Sequence, residues 1–181
     1  FDKPAKNKVI DKHLIAKNNY YAKVKIDMEQ KHRLLKDKNI IDLRIFNYFS
    51  RFIDITSRFL VTDIINCINN NSIFITNSID IKRDFIHMDD LFQIIRKCIS
   101  APKSNRAFDT YSKNPISKFE IIHYFQQNYG LNWKISKESN YVSPTGIKTN
   151  YYSLNKEIKK IGYQPKYDSL KCIAKESAYL L

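Results

Sequence analysis

Ile40-Ile41-Asp42-Leu43-Arg44-Ile45-Phe46 decides the class of the fold. It is short, rich in branched apolar residues and mostly apolar on both faces, the pattern of a strand buried in a parallel sheet. Asp37-Lys38-Asn39 separates it from the run Tyr20 to Lys36, which lacks Gly and Pro and is dominated by good helix formers. Val24, Met28 and Leu35 give that run a partial apolar stripe, and Asn18 and Asn19 can cap it. Residues 1–18 are polar, contain Pro4 and read as a loop. On the other side of the strand, Asn47-Tyr48-Phe49-Ser50 leaves its carboxyl end, where open α/β sheets place their ligands.

Working outward, Arg51 to Thr56 reads as a loop and Ser57 to Ile68 as a helix with Leu60, Ile64, Ile65 and Ile68 on one side. Ile73 to Thr76 is a short strand and Arg83 to His87 another extended piece. Asp89 is expected to cap a helix whose apolar positions Leu91, Ile94, Ile95, Cys98 and Ile99 follow the helical period. Ala107 to Tyr111 reads as a strand. Ser117-Lys118-Phe119-Glu120 has the form of a capping box and opens a helix that ends at Gly130. Leu131 to Ser136 is one more strand. After the irregular residues 137–153, Asn155 caps a short helix stopped by Gly162, and a last helix runs from Ser169 to Tyr179. Strands alternating with helices predict an α/β architecture: the end of a doubly wound parallel sheet plus a small α/β lobe.

The chain of 181 residues is long enough to bury a core, and 43% of it is hydrophobic. No apolar run approaches the ~18 residues that span a bilayer, so the expectation is a soluble, cytoplasmic protein without a membrane partner. Phe1 opens the chain with no signal-peptide pattern beside it, which suggests a start partway into a longer protein. Cys67, Cys98 and Cys172 are odd in number and far apart, and they read as buried thiols in a reducing compartment. His13, His32 and His123 are too dispersed for a metal site. The net charge of +13 could mark a nucleic-acid binder. The lysines, however, are scattered among apolar residues along nearly every segment, as on solvated helix faces. The three glycines, Gly130, Gly146 and Gly162, are too far apart for a dinucleotide or P-loop fingerprint, so any nucleotide cofactor must be held mainly by something outside this stretch.

Within the first helix Tyr21 and Lys25 stand four residues apart, on one face and one turn from each other. An ammonium beside a phenol favours the phenolate and makes a proton-transfer device. The same spacing recurs at Tyr152/Lys156 and Tyr167/Lys171, so surroundings must decide among the copies.

Those surroundings resemble a known family. Tyr-x-x-x-Lys, then Leu43-Arg44-Ile45-Phe46-Asn47-Tyr48, then Arg83-Asp84-Phe85-Ile86-His87-Met88-Asp89-Asp90 is similar to the extended short-chain dehydrogenase/reductases, in their NAD-dependent epimerase/dehydratase branch acting on nucleotide sugars. The tail from Asn155 to Pro165, followed by Ser169-Leu170, resembles that family's C-terminal end. The resemblance implies a Rossmann-like domain ending near residue 56, carrying the helix and strand, and a mainly substrate-binding lobe over 57–181 with segments returning to the sheet. It implies Tyr21 as acid/base and Lys25 as its ribose-binding partner, with Phe46 also beside an NAD or NADP cofactor. It further implies Asn47 and Arg83 as ligands of the sugar and diphosphate, and a homodimer through the Tyr21 helix with Ile26, Met28 and Leu34 as its second apolar surface. A turn-forming Asn47 and an Arg83–Asp84 surface ion pair are the plain alternatives. His87 is read as a strand end.

The sequence departs from the family in several places. Ser143 stands where a second phosphate-binding arginine is expected, which leaves Lys148 as a substitute, and Ser50 replaces a glycine after the Asn-Tyr turn. The glycine-rich turn and the substrate-holding Ser/Thr are not in the chain. Three functions follow: part of a nucleotide-sugar epimerase, dehydratase or 4-keto reductase; a sugar-nucleotide-binding remnant without redox chemistry; and, less favoured, a basic nucleic-acid binder.

Overall fold

The computed structural model describes residues 20–136 and 150–181. Helix α1 (Tyr20–Leu34) leads through strands β1 (Ile40–Arg44) and β2 (Asn47–Tyr48) to helix α2 (Leu60–Asn69). Then come β3 (Phe74–Thr76), β4 (Lys82–Arg83), β5 (Phe85–Ile86), helix α3 (Met88–Ser100) and β6 (Asn105–Asp109). The chain closes with β7 (Ile116–Ser117), α4 (Lys118–Tyr129), β8 (Trp133–Ile135), β9 (Asn150–Tyr151), a 3-10 turn over Glu157–Ile161 and α5 (Ser169–Ser177). The α/β alternation expected from the sequence is present, and its ladders are mostly parallel. β1 pairs with β6, β2 with β5 and β3 with β8, all parallel, while β4 lies between antiparallel β7 and parallel β9.

β1 differs from its expected two-faced apolar character, because its side chains sort by parity. Ile41 and Leu43 pack into a core with Ile86, Ile94, Phe108 and Tyr163, on the side covered by α3. Asp42 and Arg44 turn to the other side and meet α1 through charge. Arg44 Nε donates to Glu29 at 2.8 Å and Nη1 to Asp109 at 2.9 Å, while Arg33 and His32 both bond Asp42. Asn105 on β6 adds donors to the carbonyls of His32 and Leu35 at 2.6 and 2.7 Å. The helix is therefore seated by ion pairs and carbonyl contacts, none of its residues is fully buried, and its apolar stripe stays largely outside. Polar seating of this kind holds position because each of these charges meets an opposite charge, although Arg33 Nε and Nη1 are buried without hydrogen-bond partners.

A second core joins Val61, Ile64 and Ile65 of α2 to Ile121, Ile122 and Phe125 of α4, with Phe49, Phe74, Phe85, Cys172 and Ile173. α4 opens on the expected capping box: Ser117 Oγ accepts the Glu120 N–H at 3.2 Å and the Glu120 carboxylate accepts the Ser117 N–H at 2.8 Å. It ends at Gly130, whose φ of 66° is left-handed, a region that costs other residues a Cβ clash.

Several boundaries differ for local reasons. α2 starts at Leu60 and not at Ser57, because the Asp54 carboxylate captures the Thr56 N–H at 2.9 Å and turns the chain first. The cap of α3 is His87, not Asp89: its Nδ1 accepts the Asp89 N–H at 3.1 Å. His87 thus closes a strand and opens a helix. Asn155 does accept the Glu157 N–H, at 2.9 Å, and Gly162 stops that turn with φ 82°. Cys172 is fully buried, but Cys67 and Cys98 are only half-buried at the flanks of the two cores, and all three are free. The expected capping by Asn18 and Asn19 falls outside the described residues. No helix among the described residues is long and apolar enough to cross a membrane.

Candidate functional site

Tyr21 lies in the first turn of α1 and is 71% exposed. Lys25, one turn on, brings its ammonium to 5.6 Å from the centroid of the Tyr21 ring. Of the three Tyr-x-x-x-Lys spacings, this one alone lies within a single helix among the described residues. Tyr152 follows β9 and its Lys156 lies beyond an irregular stretch, with its ammonium over the ring of Tyr111 instead. Tyr167 precedes α5, and its hydroxyl accepts from Lys175 and donates to Asp89, not to Lys171. Four-residue spacing aligns side chains only where the backbone is helical, which is why the copies are not equivalent.

Phe46 and Asn47 follow β1. Asn47 is not in a free turn: it begins β2 and pairs with Phe85 on β5. Its side-chain Nδ2 is buried and has no hydrogen-bond partner. A buried amide donor without an acceptor is costly and marks a place where an acceptor belongs. Two residues before Phe85 on the same extended run is Arg83, which pairs with Tyr151 across the β4–β9 ladder. Arg83 Nη1 donates to the Lys82 carbonyl at 2.9 Å. Burial holds the Arg83 guanidinium below its ordinary pKa, so an anion beside it would favour the charged form. The alternative ion pair with Asp84 gives way to another arrangement. Asp84 faces the opposite side, buried, and accepts from Ser112 N at 3.0 and 3.2 Å and from Ser169 Oγ at 3.2 Å.

Tyr151 links these parts and was not singled out from the sequence. Its ring meets Phe46 edge-on at 5.2 Å. Burial raises its phenol pKa, the Tyr21 phenol adds to the rise, and the Arg83 guanidinium opposes it. Phe46, Arg83 and Tyr151 are thus gathered from three separate segments, with Asn47 next to Phe46, and the Tyr21 phenol lies within electrostatic reach of Tyr151. The only sequence signal for Tyr151 is the Tyr151-Tyr152 doublet in a stretch without period. Lys148 lies outside the described residues.

The residues present suit one end of a dinucleotide. The exposed Tyr21 hydroxyl and the Lys25 ammonium offer donors for ribose hydroxyls, while no cluster of glycines in the chain offers a pyrophosphate turn. Among the described residues no three His, Cys, Asp or Glu side chains could hold a metal ion.

Comparison with known proteins gives the arrangement its context. The profile of the NAD dependent epimerase/dehydratase family matches residues 2–113. Among curated proteins no match was found. The ADP-L-glycero-D-manno-heptose-6-epimerase of Helicobacter pylori superposes with a TM-score of 0.75 at 18% identity, over 99% of this chain and 55% of its own. The UDP-glucuronic acid 4-epimerase of Bacillus cereus, solved with UDP-glucuronic acid and NAD, gives 0.75 at 16% identity, over 97% and 57%. RMD from Pseudomonas aeruginosa, complexed with NADPH, gives 0.72 at 14% identity, over 94% and 58%. At these identities the likeness establishes the fold. The chain spans a little more than half the length of each of these three structures.

Proposed function

Because the chain belongs to the NAD-dependent epimerase/dehydratase family, we propose that it is the part of a nucleotide-sugar epimerase, dehydratase or 4-keto reductase that carries the acid/base pair and the substrate lobe. The observation that carries this reading is the meeting of Phe46 and Arg83 at Tyr151, within electrostatic reach of Tyr21, beside the unpartnered buried amide of Asn47. Residues 1–56 are assigned to the end of a Rossmann-like doubly wound sheet, and 57–181 mainly to the substrate lobe.

In this reading the Tyr21 phenolate takes the proton of a sugar hydroxyl and the resulting phenol later returns it, while Lys25 holds the cofactor ribose. Bound NAD or NADP supplies hydride acceptance and return. Phe46 packs beside the cofactor. Arg83 grips the diphosphate, for which a guanidinium fork meets two oxygens at once, and Lys148 is assigned as a second phosphate partner. Asn47 donates its amide to a sugar hydroxyl or phosphate oxygen. The UDP-glucuronic acid and NAD held by one structural neighbour, and the NADPH held by another, support a nucleotide sugar and either dinucleotide.

A homodimer through α1 belongs to the same reading. Tyr20, Val24, Met28 and Leu34 are 74%, 60%, 46% and 77% exposed, enough apolar surface on one short helix to favour a covering partner. Ile26 is half-buried and contributes less than the resemblance implied.

Calorimetric titration of the chain with UDP-glucuronic acid, with an ADP-sugar and with NAD separately tests the proposal. Saturable binding of a nucleotide sugar is expected, weakened about tenfold or more by Arg83→Leu, with NAD binding weak. Absence of nucleotide-sugar binding sinks the reading, and turnover by the chain alone with NAD removes the inference from its glycines. Rescue of turnover by an added cofactor-binding fragment separates an enzyme part from a redox-silent binding remnant.

A further inference from the structure

Behind the strand that carries Arg83, on the side to which Asp84 turns, lies a cleft of about 420 Å³ walled by Tyr111, Lys113, Lys156, Lys159 and Tyr163 among others. Its walls are fixed. The Tyr163 hydroxyl donates to the Tyr111 carbonyl at 2.7 Å, and the two rings meet edge-on at 5.3 Å. The segment leading to Lys156 is pinned because Ser153 Oγ donates to the buried Asp109 and the Asn155 N–H donates to Ser153 Oγ at 2.9 Å.

Two polar groups in this wall lack what they need. The Lys156 ammonium, half-buried, rests 3.3 Å from the centroid of the Tyr111 ring and forms no salt bridge with a carboxylate among the described residues. Asp84 and Asp109 act on it only at longer range, while Lys159 repels it. The nearest carboxylate in sequence, Glu157, is engaged by Lys160 at 2.8 Å. Lys97 adds a further positive charge at the edge, its Nζ 3.5 Å from where a side chain at Gly162 would begin. The hydroxyl of Tyr111, on the ring that the Lys156 ammonium covers, is buried with no hydrogen-bond partner. Neighbouring ammonium ions and an unanswered hydroxyl donor are both satisfied by an anion with several acceptor oxygens.

We propose that this cleft binds the phosphoryl group of a small molecule, with Lys156 and Lys159 as charge partners and the Tyr111 hydroxyl as donor. The site is separate from the Arg83 side of the molecule, because Arg83 and Asp84 are consecutive in an extended run and face opposite ways.

The test is titration of the 181-residue chain with inorganic phosphate and with glycerol phosphate at constant ionic strength, read by calorimetry. One-to-one saturable binding is expected, retained in Arg83→Leu, weakened about tenfold in Lys156→Met and by a smaller factor in Lys159→Ala. Met keeps the apolar stem over Tyr111, and Lys159 is exposed, so neither effect depends on loss of the fold. Tighter binding of glycerol phosphate assigns an ester as the ligand, and equal binding assigns the free ion. Absence of saturable binding, or binding lost in Arg83→Leu but kept in Lys156→Met, overturns the proposal.

Discussion

Tyr21 and Asn47 show how differently two residues of the proposed site register in a sequence. Tyr21 belongs to a spacing with three copies, and what distinguishes it is the helix beneath it and Lys25 at 5.6 Å from its ring. In the proposed enzyme, Tyr21→Phe removes the hydroxyl assigned to proton transfer. Steady-state kinetics should show kcat reduced about a hundred- to ten-thousand-fold, with nucleotide-sugar affinity nearly unchanged. An equal loss for Tyr151→Phe would assign the acid/base role elsewhere in the cluster. Asn47 carries a cost in the free protein, since its buried Nδ2 has no partner. Asn47→Leu is therefore expected to leave stability unchanged or raise it by about 1 kcal/mol in urea denaturation, while weakening nucleotide-sugar binding. Loss of stability together with unchanged binding would make Asn47 a structural residue.

The best-read element is α4, because both of its ends are local devices. The reciprocal bonds of Ser117 and Glu120 involve four consecutive residues, and Gly130 needs only its own left-handed φ of 66°. Ser117→Ala should cost about 1 kcal/mol of unfolding free energy. Gly130→Ala should cost a similar amount, about 1 kcal/mol, through backbone strain alone, since a Cβ there meets nothing within 4 Å. Thermal denaturation of the two variants checks both values, and a much larger loss at Gly130 would mean that crowding, not strain, fixes the glycine. The α3 cap was less legible. Asp89 is the better capping residue by type, yet His87 takes the position because its ring, stacked 4.0 Å from Tyr167, already points at the Asp89 N–H.

Across the whole molecule, the loop after β2 and helices α3 and α5 are joined by one buried carboxylate. Glu176 is 0% exposed and accepts from Arg51 Nε at 2.9 Å, Arg51 Nη2 at 2.9 Å and the Arg51 N–H at 3.0 Å, with His87 Nε2 at 3.0 Å. These bonds, above all those from Arg51, hold the Glu176 carboxyl at about 2, below its ordinary 4.5. Because the folded value lies below the unfolded one, the contribution is complete above pH 4.5 and is lost as pH falls toward about 2. Glu176→Gln should lower stability at neutral pH by about 2 kcal/mol and flatten the acid limb of the stability curve. An unchanged acid limb would place the loss of stability in other carboxylates.

Much of the α/β order was determined by the sequence alone: the alternation of apolar periods, the Ser117 box, the Gly130 and Gly162 stops, and the family to which the motifs point. These are written in residues close together in the chain, where period and capping chemistry act directly. Tertiary structure alone decided which polar groups meet. Arg44 joins Glu29 to Asp109, Asp84 turns from Arg83 toward Ser112, and Tyr151 comes to rest between Phe46 and Arg83. Such partners lie far apart in sequence and carry no period. They are selected because each buried charge or donor must find its counterpart wherever the packed elements place one.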